Sequence, residues 1–490
     1  MKKLLLGNEA IARGAYEAGV RVSSAYPGTP STEINENVAT YPEIYSEWAP
    51  NEKVAVEVAL GAAVSGARSL ACMKHVGLNV AADPFFTATY TGVNAGMVVV
   101  VADDPGMHSS QNEQDTRMLA RASHAPVLDP SNSQECKDFL KLAYEISEKY
   151  DTPVILRVTT RIAHARTLVE LDERVEVPLR EYKRDIKKYV SMPANMIARH
   201  LYVEEREKKL AEDANTLPIN RIEWADRKIG VITSGAAYNY VKEAMPTASV
   251  LKLGLAYPMP RKLIEEFAAG VDTLYVIEDM EPFYEDTIKS WGIKCSGKDR
   301  TGVQGELFAR KIANKFNGEE EAGPMNTQGI PMRPPVLCPG CPHRGLYYVL
   351  GKLKLTVCSD IGCYTLGALP PLSGVDTCVC MDKNDQTACF VNGNTLLIDL
   401  GEERTITSFH YLPDQSEYNK GVIAAYEISV GMDSNAVNQV VAKDEFSNIK
   451  NNPILQSVYF TPLKARYVQL KATRMIHDGE PLGLAEIGIQ

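Results

Sequence analysis

The chain of 490 residues lacks any long apolar run. Its longest, Gly96 to Ala102, falls far short of the ~20 residues a membrane-crossing helix needs. Met1-Lys2-Lys3-Leu4-Leu5-Leu6 starts like an export signal, but Gly7-Asn8-Glu9 ends the run before a signal core can form. An excess of positive charge is also missing. The 52 Lys and Arg against 62 Asp and Glu leave a net charge of -10, which excludes nucleic acid and anionic membrane as natural partners. The 10 cysteines are isolated or gathered in one segment, so no disulfide framework is expected. That usage suits a reducing, cytoplasmic setting. What is present is an ordinary globular content, 45% hydrophobic, in a chain long enough for three or four domains.

The first part alternates helix and strand patterns. Asn8 to Glu17 has helical apolar spacing, with Asn8 as the expected N-cap and Gly19 as the stop. Val22 to Tyr26 reads as a strand running into Pro27-Gly28-Thr29-Pro30-Ser31-Thr32. Asn51 is expected to cap a long helix with a small-residue face: Ala55, Ala59, Gly61, Ala62, Ala63, Gly66 and Ala67. Gly96 to Ala102 and Thr152 to Val158 read as buried parallel strands. Such alternation predicts a doubly wound α/β sheet with ligands at the carboxyl ends of its strands.

Charges dominate from about Leu168 to Arg227, which predicts a solvated linker with a surface helix. Strands are expected again at Gly230 to Thr233, Val250 to Gly254 and Thr273 to Ile277. Helices around Tyr238 to Ala244 and Arg261 to Ala268 lie between them, as a second, smaller α/β unit. Glu319 to Gly329 is a polar linker. After Met381 the class changes. Thr395 to Leu400, Thr405 to Tyr411, Ala425 to Val430, Ser457 to Thr461 and Arg466 to Ala472 read as short strands of an all-β sandwich.

Between these parts lies Arg333 to Gly367. Its Cys338 and Cys341 sit in a Pro-Gly turn that points two sulfurs at one place, followed by Cys358 and Cys363. A pair of this kind is shared by zinc knuckles, redox pairs and iron–sulfur sites, and also arises by chance. The wording around it is more specific. CPGCPHRG followed by SDIGCYTLGALPPL resembles the diphosphate-binding domain of the thiamine-diphosphate-dependent 2-oxoacid:ferredoxin oxidoreductases. His343-Arg344 and Tyr364-Thr365-Leu366-Gly367 resemble the large (alpha) subunit of the indolepyruvate branch. The resemblance covers residues 1 to about 381.

It implies oxidative decarboxylation of an aryl pyruvate to an acyl-coenzyme A, with electrons passed to ferredoxin and a beta subunit as partner. The implied cofactors are thiamine diphosphate, Mg2+ and a 4Fe-4S cluster. The implied layout is a pyrimidine-binding domain at 1–167, a charged linker and helix at 168–227, a transketolase C-terminal-like domain at 228–320 and a partial diphosphate-binding domain at 330–383.

Residue by residue, Glu52 matches the catalytic glutamate that holds N1′ of the cofactor's aminopyrimidine, and Glu57 is read as structural. Thr29, in a Tyr-Pro-x-Thr-Pro motif, matches the residue that contacts the 2-oxo acid or the cofactor. His75, Gly77, Asn79, His343, Arg344, Asp360, Gly362 and Tyr364 are the further cofactor-binding candidates. His108, with Arg157 or Arg161 for the carboxylate, would meet the substrate. Ser109, Gln111 and Asn112 could line the same pocket. Cys338, Cys341 and Cys363 would be cluster ligands, with Cys358 turned elsewhere as a buried strand cysteine.

The tail, 390–490, has a second resemblance. LLIDLGEERTITSFHYLP, YEISVGMDS, PLKARYVQLKA and LAEIGIQ resemble a discoidin or F5/8 type C domain, a jelly roll that often binds galactose-like sugars. Its wording is nearest to the domains appended to bacterial α-fucosidases. The Gly-Asp…Asn segment expected after Met381 to hold metal and diphosphate does not follow, nor do ferredoxin-like cysteine repeats. The expectation is therefore a fusion meeting between about Met381 and Asn394, inactive by itself. Two other readings are a sugar-binding protein on a non-catalytic α/β scaffold and a ligase-like homologue.

Overall fold

In a computed structural model, residues 2–317, 329, 331, 335–359, 361–378, 389–391, 394–413, 421–450, 454–477, 482–484 and 486–490 are described. Asp360 and most of the expected junction lie outside them. The chain folds as two units, Met1–Asn326 and Thr327–Gln490.

In the first unit the strands are β1 (Lys2–Leu6), β2 (Val22–Ala25), β3 (Tyr45–Trp48), β4 (Ser69–Lys74), β5 (Met97–Asp103), β6 (Val127–Leu128), β7 (Val154–Thr159), β8 (Arg166–Glu170), β9 (Arg221–Glu223), β10 (Asp226–Thr233), β11 (Ala248–Lys252), β12 (Leu255–Tyr257) and β13 (Thr273–Val276). The helices that matter for the site are α1 (Gly7–Glu17), α2 (Thr32–Val38), α3 (Glu52–Val64), α4 (His75–Val80), α5 (Ala82–Thr91), α6 (Thr116–Ser123) and α7 (Ser133–Tyr150).

The main sheet has seven strands in the order β12-β6-β7-β5-β4-β2-β3. All run parallel except β12, which pairs antiparallel with β6. The period of two decides what each strand residue covers. Leu70, Cys72, Val98, Val100, Leu156 and Val158 share a core with Ile11 and Ala15 of α1 and Leu140 and Ala143 of α7. Their neighbours Ala71, Met73, Val99, Val101 and Ile155 face the opposite core, with Val56, Ala59 and Ala63 of α3. The small residues let α3 lie close: the Ser69 hydroxyl of β4 donates to the Ala59 carbonyl at 2.7 Å.

The second sheet, β13-β10-β11-β9, is parallel apart from β9. Its Ile232 and Leu251 enter the same core as α3, and β12 extends the first sheet. The sequence suggested two separate α/β units, and this shared edge was not visible in it.

Two local expectations change. Asn8 lies inside α1 rather than capping it. The Glu9 carboxylate accepts from the Leu6 backbone N–H at 2.7 Å, and Asn8 donates to the Pro30 carbonyl at 2.8 Å. The charged stretch after 168 is more than a solvated linker. It supplies part of β8, which pairs with β1, and a helix, Pro193–Asp213, that buries Val203, Arg206 and Leu210.

In the second unit a helix, Pro342–Leu353, packs beside a parallel pair of two-residue strands, Cys358–Ser359 and Thr377–Cys378. A five-stranded antiparallel sheet follows, built from Thr395–Leu412, Ile423–Gly431, Gln439–Glu445, Gln456–Met475 and Glu486–Ile489. Two pairs of expected short strands are each one long strand, with register shifts where the break was expected, as between Asp399 and Arg404. Tyr426 and Tyr411 stack on Phe446, centroids 4.2 and 5.1 Å away, at the centre of this unit's core. The fold class is thus α/β with a C-terminal all-β segment.

Candidate functional site

The strand order sets β2, β4 and β5 side by side, so the loops at their carboxyl ends meet. Glu52 opens α3 beside them. Asn51 caps this helix, its Oδ1 accepting from Val54 N–H at 3.0 Å, and the helix dipole favours a carboxylate in the first turn. Glu52 is 1% exposed, whereas Glu57, one turn on, is exposed. The Glu52 carboxylate is pressed against α4. A Cβ built on Gly77 would lie 2.5 Å from Glu52 Oε1, so a close approach of backbone to acid dictates glycine there.

The strand β4 ends in Lys74, 7% exposed, and α4 starts at once with His75, 1% exposed. The Tyr26–Ser31 loop lies over them: a Cβ on Gly28 would come within 3.2 Å of Lys74 Cβ. Within the loop Gly28 N–H donates to Thr32 Oγ1 at 2.9 Å, and Ser31 Oγ donates to the Gly28 carbonyl at 2.7 Å. Thr29, before a cis proline, is exposed.

The loop after β5 closes from the other side. Lys74 Nζ donates to the Ser109 carbonyl at 2.7 Å, and Ser109 Oγ lies 3.5 Å from the Thr29 carbonyl. His75 Nε2 is 3.3 Å from Ser110 Oγ, which donates to Asp104 Oδ2 at 2.6 Å. Asp104 also accepts from Ser109 N–H at 2.8 Å and Thr160 Oγ1 at 2.7 Å. Burial pushes the Asp104 carboxyl up, but these hydrogen bonds and the charge of Lys74 outweigh it and hold the group below its ordinary range. Asp104 is thus an anchor for the Ser109–Ser110 turn.

The candidate residues divide. Glu52, His75 and Gly77 come together, and Thr29 belongs to the loop that meets Lys74 and Ser109. Asn79 is exposed at the far end of α4. His108 faces Glu306, Nε2 to Oε2 3.2 Å, and Arg161 grips the same carboxylate at 2.7 Å.

Arg157 is turned inward. It donates to Asp103 Oδ2 at 2.7 Å and Asp129 Oδ2 at 3.0 Å, and both acids are buried with it. Burial alone would lower this guanidinium, but the two carboxylates raise it. Its two ion pairs lie among buried groups. Lys74 and Asp104 were missed. The signals were a lysine ending the buried run SLACMK and an acidic doublet after VVVVA.

In the second unit the Cys338–Cys341 turn forms, with Cys341 N–H donating to the Cys338 carbonyl at 3.1 Å. Cys341 then caps the helix Pro342–Leu353, and Cys363 opens a 3-10 turn after Gly362, whose φ is +112°. Among the described residues no group of three or more His, Cys, Asp or Glu side chains is placed to hold a metal ion. Cys358 is exposed, not buried as expected. His343 packs on Tyr364, ring centroids 4.5 Å apart, and Arg344 donates to the Leu337 carbonyl at 3.0 Å. Asp360 lies outside the described residues. No helix among the described residues is long and apolar enough to cross a membrane.

The carboxylate end of a thiamine diphosphate site is matched by this donor set: a buried glutamate at a helix start, held against a glycine. Its magnesium end and the cluster are not matched among the described residues.

Comparisons with known proteins bear on both parts of the chain. Residues 13–218 match the family described as pyruvate flavodoxin/ferredoxin oxidoreductase, thiamine diphosphate-binding, and residues 373–487 match the F5/8 type C domain. The indolepyruvate oxidoreductase subunit IorA of Pyrococcus horikoshii is 43% identical over 446 residues, covering 83% of this chain and 68% of that one. The IorA subunit of Pyrococcus abyssi is 45% identical over 416 residues, covering 77% and 64%. The chain thus spans about two thirds of the length of these relatives. A 2-oxoglutarate:ferredoxin oxidoreductase structure from Magnetococcus marinus shares the fold, with TM-score 0.55 and 19% identity over 65% of each chain.

Proposed function

The chain belongs to the family of IorA-type indolepyruvate oxidoreductase subunits, and on that premise we propose that it is the large subunit of an enzyme oxidising aryl pyruvates. The reaction is oxidative decarboxylation to an acyl-coenzyme A, with ferredoxin as electron acceptor and a beta subunit as partner, in the cytoplasm. The observation that carries the reading is the buried Glu52 carboxylate against Gly77, at the carboxyl ends of β2, β4 and β5.

Thiamine diphosphate, when bound, supplies the carbon nucleophile for the substrate ketone. Glu52 would hold the proton at N1′ of its aminopyrimidine. The burial of Glu52 and His75 would keep water from that proton, and the Asp104-anchored turn positions Ser109 and Ser110 over the Thr29 loop. No step is assigned to magnesium or to an iron–sulfur cluster.

The test is reduction of a viologen dye by the full chain co-purified with a beta subunit, given indolepyruvate and coenzyme A. Dye reduction that requires added thiamine diphosphate supports the reading, and a saturated mixture without reduction refutes it.

A second reading applies to the C-terminal unit alone. Tyr459 is 75% exposed on the antiparallel sheet, its ring edge-on to His410 with centroids 6.1 Å apart. An exposed aromatic of this kind offers an apolar face to a sugar. Galactose binding by the full chain, lost in Tyr459→Ala, would support it.

A further inference from the structure

Resting on the proposed function, we infer that Asp104 and Ser110 are positioning residues for His75. They hold a ring proton on its Nε2, so any proton that His75 exchanges during turnover passes through Nδ1.

One proton decides the direction of a chain of contacts. Asp104, buried just after β5, accepts at Oδ1 from Thr160 Oγ1 at 2.7 Å and at Oδ2 from Ser109 N–H at 2.8 Å. Burial raises its carboxyl, but the hydrogen bonds from Ser110, Ser109 and Thr160 and the charge of Lys74 bring it below the ordinary range. It is therefore ionised and can only accept. Ser110 Oγ lies 2.6 Å from Asp104 Oδ2 and so donates to it. A hydroxyl has one proton, and this one is committed to Asp104. Towards His75 Nε2, 3.3 Å away, Ser110 offers only a lone pair. The contact is a hydrogen bond only when Nε2 carries hydrogen. With a bare Nε2, two lone pairs would face each other beside a ring that is 1% exposed.

The fold holds these groups in place. Asp104 follows β5, Thr160 follows β7 and His75 opens α4 directly after β4, so the ends of three adjacent strands meet. Two residues after His75, Gly77 meets the Glu52 carboxylate. The imidazole thus opens the short helix that also carries the contact to the proposed cofactor acid. The hydrogen bond made by one ring nitrogen sets the state of the other, and with it the nitrogen that takes part in proton transfer.

The proton is read by nitrogen-15 NMR of the full chain carrying labelled histidine, with His75→Gln to assign the signal. Wild type should show a protonated Nε2. Ser110→Ala should leave Nε2 unprotonated in part of the molecules, and Ser110→Thr, which keeps the hydroxyl, should restore the wild-type signal. Asp104→Asn removes the charge that commits the Ser110 proton and should also lower the protonated fraction. In dye reduction with a beta subunit, Ser110→Ala should lose about tenfold in kcat, less than a direct acid–base contact, with KM for indolepyruvate unchanged. Ser110→Thr should regain most of that loss.

A bare Nε2 in wild type overturns the inference. An Nε2 that stays fully protonated in Ser110→Ala or Asp104→Asn overturns it too, because neither residue would then set the proton. Equal kcat in wild type and Ser110→Ala overturns the role in turnover. Thermal melts accompany each variant, and where one fails to fold the wild-type signal decides. A wild-type enzyme without dye reduction overturns the proposed function and the turnover role with it, while the proton on Nε2 is still judged by its NMR signal.

Discussion

Two glutamates on one helix differ in burial and in place along it, and the proposed role of Glu52 rests on that difference. Glu52 is buried at the capped start of α3, while Glu57 is exposed. The cap and the small-residue face were legible in sequence, because both are local patterns. Arg157 was not. Its partners are remote in the chain, Asp103 at the end of β5 and Asp129 just after β6, and an arginine inside a β-branched run gives no local sign of which way it turns. Lys74 was hidden in the same way, as the polar end of an apolar strand. The buried acids also set a pH dependence. Burial raises Asp279 from 3.8 to about 6, against the opposing pull of Arg157. The folded chain therefore keeps this proton to higher pH than the unfolded chain. Between about pH 4 and 6 this group's contribution to stability falls as pH rises, by on the order of 2–3 kcal/mol. Asp279→Asn should flatten that part of the profile. Urea unfolding of both proteins across pH 4–8 measures it, and parallel profiles would contradict the assignment.

At the level of elements, the main sheet was readable and its connections to the second sheet were not. The parallel strands announced themselves as apolar runs. The pairing of β12 with β6 depends on residues far apart in the chain, and the linking charges are buried where composition suggests surface. Arg117 of α6 donates to Asp115 Oδ2 at 2.6 Å and Glu278 Oε2 at 2.7 Å, and also reaches the Asp279 carbonyl at 2.9 Å. It ties α6 to the loop after β13. Removing it takes the bound guanidinium from two buried carboxylates. Arg117→Met should cost about 3–5 kcal/mol. Arg161→Met, at a side chain 58% exposed, should cost about 1 kcal/mol or less. Chemical denaturation of the two variants decides it, and equal losses would show that the buried pair is not holding these elements.

On the scale of the whole molecule, two kinds of sequence meet in one chain, as the change of pattern near Met381 indicated. Each unit has a core of its own. The second is centred on Phe446 between Tyr411 and Tyr426. Phe446→Ala should cost about 3–5 kcal/mol in that unit. In calorimetry it should lower one transition and leave the transition of the first unit in place. A single transition that shifts as a whole would contradict two independent cores. The strand boundaries in this unit were misread because a register shift looks like a turn when seen in one strand only.

The central claim is that the first unit presents Glu52 to a thiamine cofactor. The most direct measurement compares Glu52→Gln with Glu57→Gln in the full chain assembled with a beta subunit, assayed for indolepyruvate-dependent dye reduction. Glu52→Gln should lose on the order of a hundredfold or more in rate while its melting temperature is unchanged, because one proton-transferring contact is removed. Glu57→Gln should stay near wild type. A Glu52→Gln enzyme with near-normal turnover, or a larger loss in Glu57→Gln, would contradict the account.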